Sequence, residues 1–314
     1  MLTRRLISAI VLIAFLVGSC WLDVNRPLSG VVGLWMLPVF LLMTLGTLWE
    51  MGGMVAKRLP LAPWRVMGYG VLAIAIGLAP LWTELLPSES WLGPNRLDWM
   101  SWIAIALLLT CFAMAVDAIL RYSIAERTLG HAATADIMMS WFASIAMISY
   151  VVGPMLMWWP IRMAEGSAAG DSMAGMLHLI GIVLVTKMAD AGAYFAGKSL
   201  GRNKLCPAIS PGKTVEGLLG GFAASTLAAY IWFRLVFPML SPQEGGTLWG
   251  PALLAVLLTT GGLVGDLTES MVKRTVGEKD SGQLLPGLGG VWDVTDSLLP
   301  ATVLGYLGLL AGLS

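Results

Sequence analysis

The sequence predicts an all-α, polytopic integral membrane protein of about nine transmembrane helices. Three observations lead there. Of its 314 residues, 57% are hydrophobic and 12% are charged, against about 25% charged in soluble domains, and the mean hydropathy is +0.79. The apolar residues gather into stretches close to the roughly 20 residues that a helix needs to cross a bilayer. The Lys and Arg residues fall almost entirely on alternate connections between those stretches, as the positive-inside rule requires.

The predicted spans are 5–22, 30–54, 64–84, 99–121, 136–159, 174–198, 215–238, 249–270 and 296–313. Between them lie Asn25-Arg-Pro27, the Leu59–Pro63 run, Pro87-Ser-Glu-Ser90 and the stretch from Pro238 to Gly250, all rich in residues that end helices. Trp91, Trp99, Trp158, Trp159 and Trp249 stand at segment ends, where indoles anchor at the membrane interface. With Arg4 and Arg5 in the cytoplasm, fourteen of the 19 basic residues lie on that side and three (Arg26, Arg96, Arg162) on the other, while Lys187 and Arg234 stay inside helices. An eight-helix arrangement breaks this alternation. Leu16-Val-Gly-Ser-Cys20 has the look of a lipoprotein cleavage box, but reads more simply as part of the first helix.

Composition also excludes some chemistry. A net charge of zero gives nucleic-acid binding no electrostatic support. Cys20, Cys111 and Cys206 are scattered and form neither a metal spacing nor a disulfide framework. His131 and His178 have no ligand spacing either. Residues 1–134 supply four spans without clear chemistry, whereas 135–314 form a catalytic membrane region whose long polar loops, 198–214 and 271–295, both face the cytoplasm.

The densest chemistry is at 265–297. Asp266, Glu269, Ser270, Lys273 and Arg274 follow one another at i, i+3, i+4, i+7 and i+8, which places all five on one face of a helix. Charges at a bilayer edge are costly unless paired or bound to a ligand. A loop with Lys279, Asp280, Pro286, Gly287, Gly289 and Gly290 follows; its glycines let backbone N–H groups approach an anion closely. Asp293 and Asp296 then open the last helix, three apart and on one face. Four carboxylates on two helix ends suit an oxygen-loving divalent cation such as Mg²⁺. Lys273, Arg274 and Lys279 suit phosphate oxygens. Together they are the equipment of phosphoryl or nucleotidyl transfer.

A second loop repeats the theme. Ser210, Lys213, Thr214 and Glu216 lead into a helix, and hydroxyls, a lysine and free amides at a helix N-terminus make an anion site; a plain turn with an N-cap is the simpler alternative. Asp190, one turn after Lys187, either pairs with that lysine or borders the metal site. Gly192-Ala-Tyr-Phe-Ala-Gly197-Lys-Ser199 matches a P-loop string, but it ends a membrane helix instead of linking a strand to a helix and is not read as one.

The 265–297 stretch resembles the C-terminal signature of phosphatidate cytidylyltransferases, approximately S-x-x-K-R-x4-K-D-x4-L-P-G-H-G-G-x-x-D-R-x-D. Ser270, Lys273, Arg274, Lys279, Asp280, Leu285, Pro286, Gly287, Gly289, Gly290, Asp293 and Asp296 match in register. The runs from Asp190 to Lys198 and from Ser210 to Gly217 look like two further motifs of that family. The resemblance implies a helical bundle in a bacterial inner membrane, a homodimer, a divalent metal site, and conversion of CTP and phosphatidate to CDP-diacylglycerol. It implies catalytic roles for Asp190, Ser270, Lys273, Arg274, Lys279 and Asp280, substrate contacts from Ser210, Lys213, Thr214, Glu216, Gly287, Gly289 and Gly290, and metal ligands from Asp266, Glu269, Asp293 and Asp296. Leu288 stands where the family usually has His, and Val294 where it usually has Arg. The first change removes no obligatory base, because a phosphate monoester with second pKa of about 6 is already ionised; the second removes one phosphate contact. Another reading keeps the scaffold and makes it a transporter or lipid-binding protein, but the sequence lacks the related halves such proteins usually carry. A third is a CTP-dependent enzyme acting on another lipid phosphate.

Overall fold

The structure, a computed structural model, describes residues 2–84, 97–128, 131–163, 172–241, 247–278, 280–282, 284–285 and 289–314. Each predicted span contains helix. α1 is Leu2–Asn25, α2 Leu37–Val55, α3 Pro63–Gly77, α4 Ala79–Glu84, α5 Trp99–Thr128, α6 His131–Leu156, α7 Trp158–Arg162 and α8 Ser172–Leu200. After a hairpin come α9 Val215–Tyr230, a π-helical turn Ile231–Val236, α10 Phe237–Leu240, α11 Gly250–Val276, α12 Trp292–Thr295 and α13 Leu298–Leu310.

The protein is an all-α integral membrane protein, and the count of nine spans is not confirmed. Among the described residues, six segments are long and apolar enough to cross a bilayer: Leu34–Val55, Trp99–Ala125, Thr134–Arg162, Met173–Leu200, Val215–Leu240 and Gly250–Val276. Ile10–Asn25 is a shorter apolar helix. The expected span 64–84 breaks at Leu78 into α3 and α4. The expected last span starts late, and α13 has 13 residues, about 20 Å of helix against a hydrocarbon core of about 30 Å. One further departure is a small two-stranded antiparallel hairpin, β1 Lys204–Cys206 with β2 Ser210–Thr214, in register Lys204↔Thr214. Pro207 and Pro211 keep this stretch from continuing α8.

Close backbone approach at glycines sets the geometry of the C-terminal half. A Cβ on Gly192 of α8 would strike Ala224 and the Gly220 carbonyl of α9, and one on Gly220 would strike Ala196. Small residues on both faces thus let α8 and α9 touch along their backbones, the usual means of helix association in lipid. The glycines of the P-loop-like string serve here: Gly197 lies against Thr214 and Gly217. Likewise a Cβ on Gly265 of α11 would run into the Asp296 carbonyl, and one on Gly261 would meet the Ala301 backbone at 2.8 Å. α11 and α13 therefore cross with their polar ends side by side.

The N-terminal helices close round this half. Trp292, fully buried, sits in one continuous apolar core with Phe40, Leu48 and Ile148. At the end of the bundle away from the polar loops, Asp23 of α1 is bound by Arg162 of α7 at 2.7 Å and accepts the Gly33 N–H at 2.7 Å; the two side chains are 0% and 2% exposed. Taking both charges out of water is tolerated because they are paired and hydrogen-bonded.

Candidate active site

The C-terminal end of α11 carries the stripe the spacing predicts. Asp266, Glu269 and Ser270 project from one face, and the α11–α13 crossing brings Asp296 opposite them. One carboxylate oxygen from each of Asp266, Glu269 and Asp296 lies within 4.8 Å of the others. Glu269 is 2% exposed, and its Oε1 makes no hydrogen bond among the described residues. A buried carboxylate oxygen without a donor is costly, and the three acids together match the all-oxygen coordination of a hard divalent cation. Asp266, Glu269 and Asp296 thus fit such an ion.

Three lysines ring the acids. Lys213 of β2 reaches Asp266 at 2.6 Å. Lys187 of α8 donates to the Val294 carbonyl at 3.0 Å and the Ser297 hydroxyl at 2.8 Å, and lies 3.6 Å from Asp190. Lys273 bridges Glu269 at 2.7 Å and Asp293 at 2.8 Å. Asp293 also accepts the Gly290 N–H at 2.6 Å, the Ser281 N–H at 3.2 Å and the Ser281 hydroxyl at 2.9 Å. Burial alone would raise its pKa, but the Lys273 ammonium and the Gly290 N–H outweigh that and hold it below the ordinary carboxylate range. Gly289, at φ 101°, takes a left-handed conformation that favours glycine, and its N–H and carbonyl pair with Leu285 to close the loop.

The hairpin is fastened from below. Thr214 caps α9 by accepting the Gly217 N–H at 3.0 Å, and Arg274 Nε donates to the Ile209 carbonyl at 3.4 Å. Ser270 donates to Asp266 at 3.4 Å, and Ser297 donates to Asp190 at 3.2 Å. The result is a polar basin at one end of an apolar bundle, with three acids at its floor and lysines at its wall. Such a basin can hold a cation together with the phosphates of a nucleotide.

The family model for the cytidylyltransferase family matches residues 3–310. The chain belongs to the cytidylyltransferase family. It is 34% identical over 253 residues to a phosphatidate cytidylyltransferase of Brucella suis, covering 77% of this chain and 84% of that one. It is 38% identical over 160 residues to a phosphatidate cytidylyltransferase of Haemophilus influenzae, 51% of this chain and 53% of that one. An uncharacterized Escherichia coli protein, YnbB, is 44% identical over 126 residues, 40% of each chain.

Within this cytidylyltransferase the fold brings together most of the residues singled out from sequence, with corrections. Asp293 and Asp296 stand three apart on α12 and its C-cap, where the Asp296 N–H bonds to the Trp292 carbonyl at 2.9 Å, but Asp293 is not one of the three clustered acids. Its oxygens are taken up by Lys273, Ser281 and Gly290. Glu216 was expected to touch substrate. Its carboxylate accepts the main-chain N–H of Arg202 at 3.0 Å and of Asn203 at 3.1 Å, and the Asn203 side chain at 2.7 Å, fixing the turn out of α8. Ser210 lies in the exposed hairpin, half-buried, and Asp280 is exposed. Lys279, Gly287 and the family departure at Leu288 lie outside the described residues. Val294, the other departure, offers its carbonyl to Lys187.

Two contributors escaped the sequence reading. Lys187 appeared only as a partner for Asp190, yet it touches three groups around the basin. Glu50 of α2 was given no role. It is 6% exposed and accepts from Ser281 at 3.1 Å and from the Trp292 N–H at 2.9 Å. The available signal was an acid inside a predicted span, which by default marks a functional position or an internal pair.

Proposed function

We propose that this protein transfers CMP from CTP to phosphatidate, forming CDP-diacylglycerol and pyrophosphate, in a bacterial cell membrane with its site toward the cytoplasm. The observation that carries the proposal is the meeting of Asp266, Glu269 and Asp296 within 4.8 Å, ringed by Lys213, Lys187 and Lys273. Membership of the cytidylyltransferase family and relatives named phosphatidate cytidylyltransferase give the reaction class.

Asp266, Glu269 and Asp296 would hold a divalent cation, which when bound neutralises triphosphate charge and orients non-bridging oxygens. Lys213, freed from Asp266, and Lys187 bind phosphate oxygens as point charges. Lys273 and Arg274 stabilise charge growing on the leaving pyrophosphate. Lys279, Asp280, Ser210, Thr214 and the glycine-rich loop with Gly287, Gly289 and Gly290 complete the proposed contacts, and Asp190 sets the position of Lys187. The lipid phosphate is largely dianionic at neutral pH, so its oxygen attacks the α-phosphorus without a general base. The new O–Pα bond forms as the bond to pyrophosphate breaks, and the acyl chains stay in the bilayer. A homodimer is part of the same proposal.

The test is labelled CTP with phosphatidate and Mg²⁺ in detergent. Labelled CDP-diacylglycerol is expected; its absence, with protein shown to be folded, refutes the assignment. Offering other lipid phosphates in parallel separates phosphatidate from the competing substrates.

A further inference from the structure

α2 reaches the site from the opposite end of the sequence. Gly46, Thr47 and Glu50 lie on one face of that helix, and the face rests on the segment that carries Asp293. A Cβ on Gly46 would stand 2.9 Å from the Val291 side chain, and the Thr47 and Thr295 hydroxyls meet at 2.7 Å. Glu50 lies deepest. Its Oε2 takes both the Trp292 N–H and the Ser281 hydroxyl, while Oε1 makes no hydrogen bond among the described residues. A Cβ on Gly282 or Gly290 would collide with this carboxylate, so both glycines let the loop close round it. A buried carboxylate is a poor packing element, which points to a task beyond packing.

We propose that Glu50 is a positioning residue for nucleotidyl transfer, holding Asp293 and Lys273 in register through Ser281. The inference rests on the reaction assigned above. The path is continuous. Glu50 Oε2 lies 3.1 Å from Ser281 Oγ, Ser281 Oγ 2.9 Å from Asp293 Oδ2, Asp293 Oδ1 2.8 Å from Lys273 Nζ, and Lys273 Nζ 2.7 Å from Glu269 Oε2. Ser281 has one hydroxyl proton and two carboxylates within reach. Glu50 therefore decides how that proton is shared, and with it the rotamer of Asp293. Glu50 also anchors the Trp292 N–H, so the backbone on both sides of the loop is tied to α2.

The experiment uses the full chain in detergent: wild type, Glu50→Ala, Glu50→Gln, Ser281→Ala and the Glu50→Ala/Ser281→Ala double variant. Glu50→Ala should lower kcat by about tenfold or more, the scale on which small misplacements act, with KM for CTP nearly unchanged. Glu50→Gln keeps an acceptor oxygen and should restore kcat to within about threefold of wild type. Because both residues act along one path, the double variant should be little worse than the poorer single variant. The Trp292 amide should exchange with deuterium about tenfold faster in Glu50→Ala, as an amide released from its acceptor does. Wild-type kcat in Glu50→Ala, additive losses, or an unchanged Trp292 exchange rate each overturn the proposal. If Glu50→Ala does not fold, Ser281→Ala carries the kinetic test, and wild-type kcat there is equally fatal. A wild-type protein that makes no CDP-lipid refutes the reaction assignment, while the exchange measurement still decides whether Glu50 holds the loop.

Discussion

Lys273→Met probes the centre of the site. Lys273 is 14% exposed and lies between Glu269, 3% exposed, and Asp293, 17% exposed. At contacts of 2.7 and 2.8 Å, each pair has a gross attraction of about 6 kcal/mol for an effective dielectric of about 20. Desolvation of all three groups takes back most of that. What remains on truncation is the penalty for two carboxylates left in a poorly solvated site, and breaking a buried pair from one side costs about 3–5 kcal/mol. At roughly 2 °C per kcal/mol for a chain of this size, the melting temperature should fall by roughly 6–10 °C. Tryptophan fluorescence in detergent reads this directly, since the chain has 14 tryptophans and Trp292 is next to Asp293. Turnover should fall by about a hundredfold or more, the usual effect of removing one transition-state charge. Adding Glu269→Gln removes one stranded charge, so the double variant should regain part of the lost stability and none of the lost turnover. A Lys273→Met protein that melts within 2 °C of wild type (about 1 kcal/mol) would refute the reasoning, because the lysine would then carry no net electrostatic weight.

Other outcomes follow from the same geometry. Mg²⁺ should raise the melting temperature of the wild type, and Asp266→Asn should abolish that shift and cut CTP turnover by about 10²–10³-fold; a preserved Mg²⁺ shift would exclude Asp266 as a ligand. Chelation with EDTA should stop CDP-lipid formation and added Mg²⁺ should restore it, as followed by radiolabel incorporation. Asp23→Asn, at the far end of the bundle, should cost about 3–5 kcal/mol of stability yet leave turnover per folded molecule unchanged. Gly192→Leu should push α9 away from α8, destabilising by about 1–3 kcal/mol or more and lowering kcat, because the hairpin that carries Lys213 rides on those two helices.

The membrane character and the sharing of one helix face by Asp266, Glu269 and Lys273 were legible because both are local. The first needs only composition, and the second only a period of 3.6 residues. The separate roles of Asp293 and Asp296 were not legible: an acid–x–x–acid spacing puts both on one turn, but says nothing of the Lys273, Ser281 and Gly290 groups that take up Asp293. The count of nine spans is not confirmed: α13 is apolar enough to suggest a crossing, yet it has 13 residues. The bonds from Glu216 to the Arg202 and Asn203 main chain were not legible either, since nothing local says which way an acid in a helix first turn faces. Glu50 was the hardest, because its partners Ser281 and Trp292 lie more than 200 residues away. Non-local contacts of that kind leave no periodic trace; only the oddity of an acid in an apolar segment could have raised it.

The crossing of α11 over the start of α13 has a further consequence. Because Gly265 lets the α11 backbone meet the Asp296 carbonyl, the approach of the two segments that carry the acids is set by main chain against main chain. Under the metal role proposed above, the nearby lysines would tune affinity for a cation, while the backbone approach would bound the size of ion on which the acids can close. Replacing Gly265 with alanine would then widen the gap and should favour a larger ion over Mg²⁺.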